Sequence, residues 1–186
     1  MNTKNLSIVI EDDFGIMVCN EEILKNGLMV SMAFIGIMRG MFGVTSGIVD
    51  AGGDMSVWSD IKPWVIGIQD PYNEDEIVAR LLVRNAGIAT SNTSYRSWSM
   101  GDVQYHHILH GHTGNSAESD IIQATAFASS ATEAEVAAKV LCILGTDQVG
   151  SWFNQHFPTL GFILIRQDGE VIINRNLLNY AIIMEE

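Results

Sequence analysis

The stretch IIQATAFASSATEAEVAAKVLCILG, residues 121 to 145, constrains the fold more than any other part of the chain. Its first ten residues are apolar or small almost throughout and read as a long, buried strand. The rest reads as a helix. Thr132 stands where an N-cap is needed, Glu135 three residues on completes a capping box, and Gly145 lies just past the end. A buried strand that feeds a helix needs cover on both faces, which calls for packed layers. The remaining chain supplies them. Residues 6–10, 46–54, 64–71, 77–85, 87–91 and 103–109 read as strands, the second running into a glycine turn and the third stopped by Asp70-Pro71. Asp168-Gly169 joins the two final strands in a hairpin. A helix, or two broken near Gly27, is expected over Glu21 to Phe42, and another over Asp147 to His156. Strands outnumber helices and the two are interleaved, so a layered α+β or α/β domain with mixed sheets flanked by helices is expected.

Composition narrows the partners. The chain has 186 residues, 47% of them hydrophobic and 17% charged, which suits one domain with a sizeable core. Net charge is -12, and the ten Lys and Arg are spread along the sequence, so no basic face for nucleic acid is expected. An anionic ligand would need a metal ion or a helix N-terminus to offset that field. Cys19 and Cys142 suggest no disulfide framework and fit a reducing compartment. The start of the chain lacks the form of a signal peptide. The most apolar run, residues 28–38, is too short to span a bilayer and reads as a buried helix.

Four stretches carry groups that could do chemistry. In DAGGD, residues 50–54, two glycines let the backbone approach a ligand, with Asp54 at the mouth of the turn; an ordinary tight turn capped by an aspartate has the same sequence. In ATSNTSYRSW, residues 89–98, hydroxyl residues after a strand offer phosphate or ribose donors, or simply form a solvated loop. YHHILHGHTGNS, residues 105–116, holds four of the five histidines. An extended chain would put His106, His110 and His112 on one face and His107 on the other, the arrangement a zinc ion would want if the chain bends. A polar loop with one hydrogen-bonded histidine is the alternative. Glu135 and Lys139 stand four apart on the helix, either as a structural ion pair or as a carboxylate facing a cation.

The order of these stretches resembles the FAD:protein FMN transferase (ApbE-type) family. That family carries a GGD turn, a TSG loop, a HI(I/L)DPxTG segment and an ADALAT helix start. The corresponding residues are Gly52-Gly53-Asp54, Thr90-Ser91, His107-Ile108-Leu109 with Thr113-Gly114, and Ala134-Glu135 through Lys139. The resemblance implies a layered, T-fold-like domain and transfer of FMN from FAD to a threonine hydroxyl of a target flavoprotein, with magnesium and release of AMP. It implies His107 beside the phosphates as the catalytic residue. Gly52, Gly53, Asp54, Thr90, Ser91, Thr113 and Gly114 would line the FAD site, and Glu135 would take the place of the metal-binding aspartate. The chain departs from the pattern at His110-Gly111, where the family has Asp-Pro, at Asn26-Gly27 for Lys-Gly, and at Lys139 for a metal-binding threonine. It also lacks most of the family's leading portion, so residues 1–186 are expected to form one ApbE-like domain. A catalytically degenerate scaffold that binds flavin, or acts with a complementing subunit, is the alternative. No lipobox cysteine is seen, so a bacterial, cytoplasmic protein without membrane contact is expected. Sheet edges left open make a homo-oligomer an option.

Overall fold

The computed structural model describes residues 6–10, 17–19, 37–95, 97–101 and 103–185. Its centre is an eight-stranded sheet in the order β12-β11-β10-β7-β4-β3-β1-β2. In chain order these strands are β1 (Leu6–Ile10), β2 (Met17–Cys19), β3 (Ser46–Asp50) and β4 (Met55–Ser59), then β7 (Ala86–Asn92), β10 (Ile121–Ala128), β11 (Gly161–Arg166) and β12 (Val171–Ile173). A second sheet, ordered β13-β6-β5, contains β5 (Trp64–Gln69), β6 (Ile77–Val83) and β13 (Ala181–Ile183). β8 (Ser97–Met100) and β9 (Val103–His106) form a separate hairpin in which Trp98 stacks on Tyr105. Every pairing among the described strands is antiparallel. Helix α1 (Ala131–Leu144) follows β10 after two residues.

The period of two in β10 explains the layering. All eight of its residues are buried. Ala124, Ala126 and Ala128 face one way and pack with Ala134, Ala137, Ala138, Leu141 and Cys142 of α1. Phe127 faces the other way, onto Ile66, Ile68, Leu81 and Val83 of the small sheet. β7 divides in the same manner, with Ala89 under the helix and Ile88 in the second core. The large sheet is therefore the middle of three layers. Small side chains on its helix face let α1 lie close; the branched and aromatic ones on the other face fill the wider gap between sheets.

The expected strands over 6–10, 46–54, 64–71, 77–85, 87–91 and 121–130 are present, most of them with ends trimmed. The Asp168-Gly169 hairpin is present too, with Gly169 at φ 87°. The strand expected to reach residue 109 stops at His106, because the His106 ring accepts the Ile108 N–H at 3.3 Å and turns the chain. Residues 146–156 are helical, with a π-helical turn at Val149–Phe153. Of the helix expected over 21–42, residues 37–42 are helical and 21–36 lie outside the described residues. One expectation is corrected outright. The cap of α1 is Ser130, not Thr132: its backbone is extended and its hydroxyl accepts the Glu133 N–H at 3.3 Å. Glu133 is the acid of the first turn and accepts from the Ser129 hydroxyl, so Glu135 takes no part in capping. Ala131, 1% exposed, is already packed as a helical residue, which leaves Thr132 inside the first turn.

Candidate functional site

Strand register brings most of the motif segments to one end of the large sheet. Met55 pairs with Ile88 and Val57 with Ala86, so the turn before Met55 points the way β7 runs. Gln123 pairs with Asn92, so β10 begins where β7 ends. The connection that carries His107, Thr113 and Gly114 therefore enters the sheet at the same end.

The glycine turn is shaped by the aspartate in front of it. The Asp50 carboxylate accepts the N–H groups of Gly52 and Gly53, each at 2.9 Å, and both glycines have positive φ. A Cβ at Gly53 would meet nothing within 4 Å, so the turn faces open space.

Thr90 and Ser91 are neighbours on β7 and so point to opposite faces. The Thr90 hydroxyl shares a hydrogen bond of 2.9 Å with the Thr125 hydroxyl across the strand pair. Ser91 is buried toward α1, and its carbonyl accepts from the Cys142 thiol at 3.6 Å. Burial pushes that thiol up to about 12, which removes it from nucleophilic chemistry.

Next in the chain is Asn92, where the family pattern has glycine. Its carboxamide oxygen accepts the Ser94 N–H at 2.6 Å, the Ser94 hydroxyl at 2.7 Å and the Tyr95 N–H at 3.3 Å. Desolvation, with the nearby carboxylates of Glu74 and Asp70, pushes the Tyr95 phenol up. Asn92 escaped the sequence reading. The signal that could have found its partner was a lone glutamine, Gln123, inside a buried apolar strand.

In the histidine-rich segment, Ile108 and Ala117 are buried in the core under α1, and Ala117 donates its N–H to the Ile108 carbonyl at 2.9 Å. His107, between two inward-anchored neighbours, is exposed. The turn beyond is closed by the His110 carbonyl, which accepts the N–H groups of Thr113 and Gly114, the latter with φ 70°. The zinc alternative is not supported. The His106 Nε2 lies 2.9 Å from the Ala117 carbonyl, His110 and His112 sit beside each other with ring centres 5.8 Å apart, and no cluster of three metal-binding side chains occurs among the described residues.

Glu135 is on α1 rather than on one of these loops. It is the fifth residue of α1, and its carboxylate is held by the Lys139 ammonium. A single carboxylate already neutralised by a tethered cation does not fit a divalent metal ion. Cys142, seven residues after Glu135, is buried against β7 at Ser91, whereas Glu135 and Lys139 are partly exposed.

An antiparallel sheet covered by a helix on one side and a small sheet on the other, with its loops gathered at one end, is the class this chain falls into. Solved structures share it. The ApbE protein of Thermotoga maritima matches with a TM-score of 0.70 at 21% identity, over 93% of this chain and 58% of that one. The apo flavinyl transferase ApbE of Pseudomonas stutzeri matches with a TM-score of 0.64 at 17% identity, over 93% of this chain and 56% of that one. Residues 30–164 match the model of the ApbE family, and the chain belongs to that family. Among its relatives is an FAD:protein FMN transferase of Treponema pallidum, 25% identical over 152 residues, which cover 75% of this chain and 42% of the relative. Another, of Salmonella typhimurium, is 24% identical over 132 residues, covering 69% of this chain and 37% of the relative. The chain thus spans less than half the length of these relatives.

Proposed function

We propose that the chain handles FAD as an FMN transferase does, moving FMN to a threonine hydroxyl of a target flavoprotein. The threonine oxygen attacks the phosphorus of the FMN half, the diphosphate bond breaks, and AMP leaves with the bridging oxygen. His107 takes the threonine proton, and the Gly52–Asp54 turn, the end of β7 at Thr90–Ser91 and the Thr113–Gly114 turn line the nucleotide site. The observation that carries this reading is that the Gly52–Asp54 turn, the end of β7 and the connection bearing His107 lie toward one end of the large sheet. Magnesium is given no place at Glu135 in this scheme, because Lys139 is already there. The test is to mix the purified chain with FAD and a target flavoprotein and to measure AMP and protein-bound flavin. Both should appear together; no AMP with any divalent metal present overturns the reading.

The Glu135–Lys139 pair favours a second reading, a scaffold that binds flavin or a partner subunit without transfer. Under it, FAD binds and no AMP forms, and Lys139→Thr with Glu135→Asp raises magnesium or FAD affinity. Tight, magnesium-dependent FAD binding by the unaltered chain would remove this second reading.

A further inference from the structure

We propose that Gln123 is a positioning residue for the segment after Ser91, acting through Asn92 from a strand that carries none of the motif residues. Its relevance to catalysis rests on the reading of Thr90–Ser91 as part of the nucleotide site. Gln123 is 2% exposed and Asn92 5% exposed, and they face each other in the β10–β7 register. Three links run in series. The Gln123 carboxamide nitrogen donates to the Gln69 carbonyl at 2.9 Å. The Asn92 nitrogen donates to the Gln123 carboxamide oxygen at 3.0 Å. The Asn92 oxygen then accepts the Ser94 and Tyr95 N–H groups.

The direction of this series is fixed at both ends by the backbone. A carbonyl can only accept, so Gln123 must present its nitrogen to Gln69 and its oxygen to Asn92. Backbone N–H groups can only donate, so Asn92 must turn its oxygen to Ser94 and Tyr95. Neither amide can flip without leaving buried polar atoms unpaired, which makes the arrangement a single state. A glycine in place of Asn92 would leave Ser94 and Tyr95 without this acceptor. Here the end of β5 in the small sheet dictates, through two side chains, where the residues following Ser91 lie.

Amide hydrogen exchange on the full chain tests this, with FAD titration as a separate arm. Gln123→Met keeps the side-chain length and removes both hydrogen bonds. In this variant the Ser94 and Tyr95 amides are expected to exchange roughly tenfold faster, the factor for one buried hydrogen bond. The β10–β11 amides should be unchanged. In an Asn92→Gly background, Gln123→Met should add no further change at Ser94 and Tyr95. Unchanged exchange at those two amides, or an equal rise throughout the sheet, overturns the proposal. If the unaltered chain binds FAD, Gln123→Met should weaken it roughly tenfold, again by one hydrogen bond's worth; equal affinity overturns the proposal. If the unaltered chain binds no FAD, the nucleotide reading falls, and the exchange data still decide the role of Gln123.

Discussion

A Cβ built on Gly87 would stand 1.9 Å from the Ser130 carbonyl carbon and 2.1 Å from the Ala131 nitrogen. Those are backbone atoms at the start of α1, with no flexible end to move aside. Gly87 therefore sets how closely the helix lies on β7, and through it the depth at which Cys142 meets Ser91. Gly87→Ala is expected to cost about 3 kcal/mol, the upper part of the range for overpacking a tight interior. The urea midpoint would report it; a loss under about 1 kcal/mol would mean the helix start can shift freely. By contrast, the Glu135–Lys139 pair is partly exposed, with side chains 25% and 46% accessible, and belongs with surface ion pairs worth about 0.5 kcal/mol or less. Its weight lies in the charge it places there, not in stability.

At the scale of elements, α1 shows how near a sequence can come to the right answer. Ser129, Ser130 and Thr132 all carry hydroxyls, and each could start a helix. The structure starts α1 at Ala131, whose backbone lies against Gly87, with Ser130 as the cap. Ser130→Ala should lower stability by about 1 kcal/mol, whereas Thr132→Ala should change it by a few tenths at most. Chemical denaturation of the two variants side by side separates the possibilities, and a larger loss at Thr132 would return the cap to that residue. The strands that declared themselves were those with unbroken apolar runs, β10 above all. β4 did not, because MSVWS mixes polar and apolar residues. Its Ser59 is buried, with its hydroxyl bonded at 3.0 Å to Ser46, a partner thirteen residues away. The same holds for the candidate site. Thr90, Ser91, Thr113 and Gly114 could be picked out by the order of the motifs. Asn92 could not, and the lone Gln123 signalled a buried partner without saying which, since their bond joins positions 31 apart and exists only once β7 and β10 are in register.

Over the whole molecule, one carboxylate ties three elements together at the same end of the sheet. Asp120 accepts the Thr146 hydroxyl and its N–H just past α1, and pairs with Arg166 at the end of β11 at 3.1 Å. Partial burial pushes the Asp120 carboxyl up, but the Thr146 hydrogen bonds, its own N–H and the Arg166 guanidinium outweigh it, so its titration lies lower than usual. A lowered folded value means the stabilisation is full above the ordinary aspartate range and is lost as pH falls below about 4. Asp120→Asn should be less stable than the unaltered chain at pH 7, and the gap should narrow in acid. Denaturation midpoints at the two extremes would show this; a constant gap would mean that the charge is not what binds the elements. Among the described residues no helix is long and apolar enough to cross a membrane. A groove of about 270 Å³ lies between β6, β12 and β13, lined by Ile77, Val171, Ile173, Ile183 and Met184, and it includes none of the motif residues.

Ser91 and Asn92 are consecutive, yet one is fastened to the helix and the other, by way of Gln123, to the small sheet. Such a joint works as a rivet through the central layer. Any displacement of the chain there strains both cores at once, so the segment resists drifting with either cover alone, and a molecule that shifts it is felt on both sides of the protein.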